Sequence, residues 1–299
     1  MKNYIGIDLG GTNVRVAKIN EEGEILSDLI RPSYGMEGPE KIVGNIVDML
    51  KQFDLSDCIS IGIGIPGPVD TVKNCITMAT NIPGMEFYPV ADIIEKETGL
   101  KVYLDNDANV AGLAEAVLGA GKGKRTVYFF THSTGIGGAL IHNGKLISGR
   151  NGYAGEIANI IVKDNGKKIN HLNPGAVENE ASGTAICRIG KEIIGEEIKD
   201  ARDVFALARN NDERALKIVD QMAYDIAKMM SVISHVCDPD CYVIGGGVSK
   251  ASDLYFDKLG TYLNSLVHVG MRDVPILKAV LKEPGVVGAA MLARSHDND

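Results

Sequence analysis

The sequence has no tryptophan, few aromatic residues and no long apolar run. Aromatic residues make up 5% of the 299 residues, and no apolar stretch approaches the ~20 residues that a transmembrane helix needs. No block of basic residues stands out, and the formal net charge is −8. We therefore expect neither a membrane nor a nucleic acid as a partner. Because the first residues already enter a strand-like run, we expect no signal peptide and a cytoplasmic protein.

Cysteine is scarce and irregularly spaced. The five cysteines are Cys58, Cys75, Cys187, Cys237 and Cys241. An odd, scattered set in a cytoplasmic chain does not indicate a disulfide framework. We interpret all five as small buried apolar residues, since free cysteine usually behaves in this way.

Glycine, by contrast, is abundant, with 35 residues, and it marks two similar segments. One segment starts at Tyr4 and the other at Thr126. Each contains a β-rich run, a glycine-rich turn, a second β-rich run, a second turn and a short third strand. The recurrence of this β-meander predicts a duplicated α/β lobe.

The rest of the chain alternates between helical and extended patterns. Apolar periodicity and turn residues predict helices over 39–53, 88–99, 108–118, 178–195, 201–210, 212–237, 251–267 and 286–295, and strands over 58–65, 101–104 and 241–245. Such alternation indicates two mixed α/β lobes with a ligand cleft between them. We expect an N-terminal lobe of residues 1–118, completed by the C-terminal helix 286–297, and a C-terminal lobe of residues 119–285. The glycine-rich stretch 119–124 suits a hinge.

Two glycine turns, one in each meander, are candidates for binding phosphate. The first contains Gly10, Gly11, Thr12 and Asn13 and follows Asp8; the second contains Thr134, Gly135 and Gly137. Paired glycines let backbone amides approach phosphate oxygens, and a carboxylate at a strand end suits Mg²⁺, directly or through water. Either turn alone is also compatible with a plain hairpin, but a duplicated fold favours a shared function for the two.

A third glycine run, Gly245, Gly246 and Gly247, follows a predicted strand and precedes a helix. Glycines at this place permit a flat ligand such as adenosine to lie against the backbone. A dinucleotide-binding fingerprint is the rival interpretation. It fails because the run lacks the GxGxxG spacing and lies late in the chain.

Three acidic positions and one amide are candidates for sugar chemistry. Asp107 is a candidate general base and Asn106 a candidate sugar ligand, although Asn and Asp before a helix are also common N-caps. Glu156, in a predicted loop, is either a ligand for vicinal hydroxyls or an exposed carboxylate. Glu178 allows the same two interpretations, because acidic residues are frequent in a first helical turn.

In combination, these motifs resemble the ROK family (repressor, open reading frame, kinase) of bacterial sugar kinases and regulators. The resemblance covers essentially the whole chain and includes DLGGTN at 8–13, GIGIPGPVD at 62–70, NIPGM at 81–85, DNDAN at 105–109, TGIGGALIHNGKLISG at 134–149, AGEI at 154–157, EASG at 180–183 and IGGGVS at 244–249. It implies an actin/hexokinase-type, ribonuclease H-like fold.

The resemblance also implies roles for individual residues. Residues 8–13 and 134–138 would hold the phosphates of ATP and Mg²⁺, and residues 245–249 would border the adenosine. Asn106, Glu156 and Glu178 would bind sugar hydroxyls, Gly67 would lie beside the sugar, and Asp107 would be the catalytic base. An ATP-dependent hexose kinase, acting on the 6-hydroxyl of glucose or a related hexose, is the expected activity, and a homodimer is the expected assembly.

Two departures from the family pattern limit how far the family's residue roles can be assigned to this sequence. Asn159 stands where the family usually has a sugar-contacting histidine, and the CxCGxxGC run that completes a structural zinc site is missing. We therefore expect no zinc. Kinases for β-glucosides or N-acetylhexosamines, and a sugar sensor without turnover, remain alternatives. Since the chain begins at the first strand, the DNA-binding domain of the regulator branch is not expected.

Overall fold

The computed structural model describes residues 2–79 and 82–297. Asn81, the first residue of the NIPGM motif, lies outside the described residues. The strands are, in chain order, β1 (Asn3–Leu9), β2 (Asn13–Asn20), β3 (Ile25–Pro32), β4 (Cys58–Ile65), β5 (Val69–Asp70), β6 (Cys75–Ile76), β7 (Lys101–Asn106), β8 (Thr126–His132), β9 (Ile136–His142), β10 (Lys145–Leu146), β11 (Cys241–Gly245) and β12 (Ile276–Lys278).

The helices follow the predicted pattern, except that the predicted helix over 178–195 is divided into two. They are α1 (Pro39–Leu50), α2 (Val90–Thr98), α3 (Asp107–Val117), α4 (Val177–Ala181), α5 (Gly183–Ile193), α6 (Ala201–Arg209), α7 (Glu213–Cys237), α8 (Ser252–Leu266) and α9 (Pro284–Ser295). In the described part of the chain, none of them combines the length and apolar character needed to cross a membrane.

The two large sheets have matching strand orders. The first runs β3-β2-β1-β4-β7 and the second β10-β9-β8-β11-β12. In the first, β1 is antiparallel to β2 and parallel to β4. In the second, β11 lies parallel to both β8 and β12. The recurrence of a meander extended by parallel strands supports the predicted duplication.

Contacts group the chain into two compact units. Unit 1 comprises residues 1–125, 139–155 and 280–299, and unit 2 comprises 126–138 and 156–279. The glycine-rich stretch 119–124 thus falls in unit 1, whereas sequence reasoning placed it after a lobe boundary. It lies there because the amides of Ala120 and Gly121 donate to the side chain and main chain of Glu115 in α3. The division into lobes at residues 118 and 119 stays a prediction.

The core of unit 1 depends on close approach between α9 and the first sheet. A Cβ atom on Gly6 of β1 would collide with the carbonyl oxygen of Val286, and one on Gly62 of β4 with that of Ala289. A side chain at either position would therefore push α9 off the sheet. Closely packed interiors accommodate such an addition poorly.

We predict that Gly62→Ala destabilises the protein by about 1–3 kcal/mol or more, the range expected for overpacking a core. Gly44→Ala is the matched control, because Gly44 lies exposed in α1 with no atom near the added methyl group. The control should gain about 0.5–1 kcal/mol, as alanine is the better helix former. Urea denaturation gives the free energy of unfolding of both variants; equal stability would contradict this account of the packing.

Candidate functional site

The first glycine turn joins β1 to β2 and is exposed. Gly11, Thr12 and Asn13 all face solvent, while the amide of Gly10 donates to the carbonyl of Asn13 at 2.9 Å. Ser33 occupies two carbonyl oxygens of the turn: its hydroxyl donates to Gly11 at 2.8 Å and its amide to Thr12 at 2.8 Å. The turn is therefore a fixed, open backbone loop, as a phosphate cradle requires.

Asp8 lies at the end of β1 next to other carboxylates. Burial raises the pKa of Asp8 to about 6, with further contributions from the negative charges of Asp107 and Glu283, while Arg15 opposes the shift. Arg15 itself forms ion pairs with Asp28, at 2.9 Å, and with Glu283. A buried carboxylate beside other acidic groups suits a divalent cation, which would neutralise the negative charge.

Glu283 was not among the sequence-predicted residues. It immediately precedes α9, and the α9 residue Gly285 approaches so closely that an added Cβ would collide with the Asp8 carboxylate. No local motif marks this position. Only the return of the last helix to the first sheet brings it to Asp8.

The start of α3 presents Asn106 and Asp107 together. The Asn106 side chain caps the helix, accepting from the amides of Ala108 at 2.9 Å and Asn109 at 3.4 Å. Its amide nitrogen donates to the carbonyl of Gly67 at 3.1 Å. Gly67 has φ +103°, and a Cβ there would collide with the carbonyl of Met78. One side chain thus joins the Gly67 loop to the helix end.

Asp107 is the first residue of α3 and not its cap, which corrects the interpretation of this aspartate as an N-cap. Its carboxylate accepts from the amide of Ala108 at 2.8 Å. Part of the side chain is exposed, yet desolvation by the surrounding protein raises its pKa, against the opposing effect of backbone hydrogen bonds. A carboxylate with a raised pKa at a solvent-accessible position is suited to accept a proton.

Asp105, two residues earlier, differs in its surroundings. It is buried, and its carboxylate accepts from the side-chain amide of Asn109 at 2.6 Å and from the backbone amide of Asn106 at 2.7 Å. It therefore braces the first turn of α3 from inside the protein.

The second glycine turn, between β8 and β9, is tied to the α4–α5 junction. The carbonyl of Ser133 accepts from the amide of Gly183 at 2.8 Å, and that of Thr134 accepts from the hydroxyl of Thr184 at 2.9 Å. The predicted helix over 178–195 is broken here, because Ser182 adopts an extended conformation and caps α5 through the amide of Ala185. Gly137 lies inside strand β9 and not in the turn.

A cavity of about 850 Å³ opens beside this turn within unit 2. Its lining includes Ser133 and Thr134 of the turn, Gly183 and Thr184 of α5, and Gly247 of the third glycine run. Five cations and two carboxylates also line it: Arg188, Lys191, Lys199, Arg202 and Lys250, with Glu192 and Asp200. Arg188 pairs with Glu192 and Arg202 with Asp200. Phe205 and Val248 supply apolar surface. The cavity combines glycine-rich backbone, an excess of cations over carboxylates and an apolar wall.

Gly246 is the residue of the third run whose geometry demands glycine. It has φ +85°, and a Cβ would collide with the carbonyl of His132. Gly245 ends β11, where an added Cβ would lie 3.1 Å from the ring of Phe129. These close approaches bring the third run against the end of β8.

Glu178 and the loop at 156–160 form a second polar group in unit 2. One Glu178 oxygen accepts from the amide of Ile136 at 2.9 Å, which joins α4 to the second turn. The amides of Val177 and Glu178 donate to the carbonyls of Ile160 and Ala158. The backbone on both sides of Asn159 is therefore held against α4, and Glu156 and Asn159 of this loop are exposed.

Asn159 already has a structural role. Its side-chain oxygen accepts from the amide of Asn173 at 2.7 Å, so it anchors the 170–173 segment that replaces the family's cysteine run. Between residues 156 and 182 the only Cys or His residue is His171.

In the described ranges, no three His, Cys, Asp or Glu side chains are grouped to hold a metal ion by themselves. Tetrahedral zinc needs such a set. Mg²⁺ differs, since it commonly keeps several waters and binds one or two carboxylates together with substrate phosphates. Asp8 and its acidic neighbours fit that mode.

His132, which precedes the second turn, is fully buried. Its Nε2 donates to the carbonyl of Ala181 at 2.7 Å, and Nδ1 faces the hydroxyl of Tyr255 at 3.5 Å. Burial lowers its pKa from 6.5 to about 4. The imidazole is thus neutral at pH 7 and links β8 to α4.

The chain is similar to known proteins over nearly its whole length. The profile of the ROK family matches residues 4–296. A glucokinase from Halalkalibacterium halodurans is 33% identical, over 99% of this chain and 96% of that protein. The ROK hexokinase of Thermus thermophilus superposes with a TM-score of 0.88 at 30% identity, covering 98% of both chains.

A second solved structure is a ROK family glucokinase from Streptomyces griseus in complex with glucose and AMPPNP. It superposes with a TM-score of 0.77 at 30% identity, over 98% of this chain and 99% of that chain. The predicted fold class is confirmed by these structures.

Because His132 is buried as a neutral imidazole, we predict that acid lowers the stability of the folded protein. An unfolded chain binds a proton at His132 below pH 6.5 whereas the folded protein does not until about pH 4, so stability falls as the pH falls through this window. By pH 5 this group should cost about 2 kcal/mol. His132→Gln, which keeps an N–H donor for Ala181, should lose less stability than the wild type between pH 7.5 and 5 in urea denaturation.

His235→Gln, at an exposed histidine, is the matched control and should retain the wild-type pH dependence. The assignment is wrong if His132→Gln loses as much stability on acidification as the wild type does.

Proposed function

Because this chain belongs to the ROK family, we propose that it is an ATP-dependent sugar kinase, which transfers the γ-phosphate of ATP to a hexose hydroxyl. The observation that carries the proposal is the cavity of about 850 Å³ that unites the second glycine turn, Gly247 and five cations. The glucokinase of similar fold that was solved with glucose and AMPPNP supports the same activity.

The nucleotide is proposed to lie on the glycine runs. Thr134 and Gly135 of the second glycine turn are suited to contact the phosphates, since the backbone amides of such a turn can approach phosphate oxygens. The cations along α5 and α6 would offset the phosphate charge locally in a protein whose formal net charge is −8. Phe205 and Val248 offer apolar surface for adenine, with Gly245, Gly246 and Gly247 bordering the adenosine.

Asp8 is the proposed Mg²⁺ residue, directly or through water, alongside the turn of Gly10, Gly11, Thr12 and Asn13. The bound ion would supply charge neutralisation for the phosphates. Without it, the Asp8 carboxyl is close to half protonated near pH 6 because burial and neighbouring acids raise its pKa.

The sugar is proposed to bind through Gly67, Asn106, Glu156, Asn159 and Glu178. Asn106 is held in place by its own capping bonds and by Gly67, so its position is set before any ligand binds. Glu178 is fixed by the amide of Ile136, which ties the sugar ligands of unit 2 to the phosphate turn. Such prior positioning lowers the entropic cost of orienting a substrate.

Asp107 is the proposed general base. It accepts the proton of the sugar's primary hydroxyl, the oxygen of that hydroxyl forms a bond to the γ-phosphorus, and the bond from this phosphorus to the bridging oxygen of ADP breaks. The products are the sugar 6-phosphate, ADP and one proton. The raised pKa of Asp107 brings its basicity closer to working pH, which favours proton transfer.

The acceptor is proposed to be glucose or a related hexose, and the protein a cytoplasmic homodimer. A β-glucoside or N-acetylhexosamine kinase is the second candidate, favoured by Asn159. Its amide oxygen is occupied by Asn173, so it is less free to contact a sugar hydroxyl than the family's histidine at this place.

Asp107→Asn should lower kcat by roughly 10²–10⁴, the effect of losing a positioned base. Asparagine keeps the size and hydrogen-bonding ability of the residue but cannot accept the proton. The melting temperature should barely change, since the cap of α3 is Asn106 and remains intact. A coupled ADP-release assay measures turnover, and calorimetry measures sugar binding.

Asp105→Asn is the matched control, because this buried carboxylate braces Asn109. It should lower the melting temperature more than Asp107→Asn and reduce turnover less. An Asp107→Asn protein with near-normal turnover would overturn the assignment of the base.

The acceptor specificity should be broad. In a panel of hexoses, N-acetylhexosamines and β-glucosides, we expect glucose to be preferred over the next sugar by less than about a hundredfold in kcat/KM. Asn159 offers the sugar one polar contact fewer than the family's histidine, and one hydrogen bond contributes about tenfold. Asn159→Ala should change the ranking through the 170–173 segment, whereas Asn159→Asp, which keeps an acceptor for Asn173, should change it less. A strong, exclusive preference for glucose would contradict this interpretation of Asn159.

A further inference from the structure

Glu115 lies in the last turn of α3 and has no exposed surface. A carboxylate at this place is unfavourable for two reasons: burial removes its hydration, and the C-terminal end of a helix repels negative charge. A buried carboxylate therefore needs strong compensating partners, which makes its contacts informative.

The compensation comes from three backbone amides outside α3. Ala120 donates to Oε2 at 3.0 Å, while Val280 and Leu281 donate to Oε1 at 2.9 and 2.7 Å. Both carboxylate oxygens are thus used, and the donors belong to two segments far apart in sequence. Hydrogen bonds to a charged acceptor are the stronger kind.

These two segments adjoin passages of the chain between the compact units. The chain passes from one unit to the other after residues 125, 138, 155 and 279. Val280 is the first residue after the last passage, and the Ala120 stretch leads into the first. Glu115 is therefore hydrogen-bonded to the backbone next to two of the four points at which the chain passes from one unit to the other.

The surrounding glycines fit this arrangement. A Cβ on Gly119 would collide with the Glu115 carboxylate, so glycine is required for the loop to approach it. The carbonyl of Glu115 also accepts from the amide of Gly121 at 2.9 Å. Side chain and main chain of one residue thus hold the 119–121 loop together.

We propose that Glu115 is a positioning residue. Its three hydrogen bonds, which we call the clamp, fix segments 119–121 and 280–281 to α3, the helix that carries Asp107 at its opposite end. While the clamp is intact, neither of these two segments shifts relative to Asp107. The consequence for turnover rests on the proposed kinase function; the clamp itself does not.

Glu115→Gln is the first test. Without changing size, it removes one acceptor oxygen and leaves the other as a neutral amide oxygen in place of a charged one, so the hydrogen bonds to both segments weaken. Without ligand, hydrogen–deuterium exchange should accelerate about tenfold, the effect of losing one hydrogen bond, at both 118–121 and 280–282 together. Gly119→Ala displaces the same carboxylate without altering it and should give the same paired increase. Acceleration at one segment alone, or at neither, would overturn the clamp.

Steady-state kinetics with D-glucose and ATP form the second arm, at a temperature where every variant is folded. Glu115→Gln should lower kcat/KM by about tenfold. Asp225→Asn, an isosteric change at a buried carboxylate of α7 in unit 2, is the control and should lower the melting temperature with kcat and KM unchanged. A Glu115→Gln protein that is only less stable, with wild-type kcat and KM, would show a merely structural role.

The two arms separate the clamp from the proposed function. If the wild type releases no ADP with glucose or any other sugar of the panel, the kinase proposal fails, while the exchange comparison still decides whether Glu115 holds both segments.

Discussion

The hydrogen bonds of the Asn106 side chain organise the candidate sugar site. Its oxygen closes the first turn of α3 and its nitrogen holds the carbonyl of Gly67. The neighbouring Asp105 secures Asn109 one turn later. Asp107 consequently lies at a helix end that Asn106 already caps, and its exposed carboxylate is the proposed base.

The distribution of charged side chains explains how a protein with a net negative charge could bind a nucleoside triphosphate. Burial, followed by the negative charges of Asp107 and Glu283, raises the pKa of Asp8 at the end of β1. This group of carboxylates favours a divalent cation. Along the cavity of unit 2, by contrast, five cations outnumber two carboxylates. Local clusters of each sign, and not the net charge, set the affinity for a phosphate ligand.

Several side chains combine a structural role with a proposed functional role. Glu178 is a candidate sugar ligand and also a hydrogen-bond partner of the second turn, while Asn159 anchors the 170–173 segment. Glu115 occupies the end of a helix where a carboxylate is locally unfavourable, and backbone donors from two distant segments compensate. Departures from local preference of this kind often mark positions with a role in function.

The sequence by itself determined the elements of the fold. Periodicity and turn chemistry are local properties, so the meanders, most of the helices and the family motifs could be predicted from neighbouring residues. The break at Ser182 was missed, because the bond between Gly183 and Ser133 that accompanies it joins residues far apart in the chain.

Tertiary structure alone decided which distant groups meet. Glu283 joins Asp8 only because α9 returns to the first sheet, and the cap of α3 was assigned to Asn106 only by its backbone geometry. The cavity of unit 2 assembles residues from the second turn, α5, α6 and the third glycine run. Charge, burial and hydrogen bonding across such separations depend on packing in three dimensions, which no local pattern encodes.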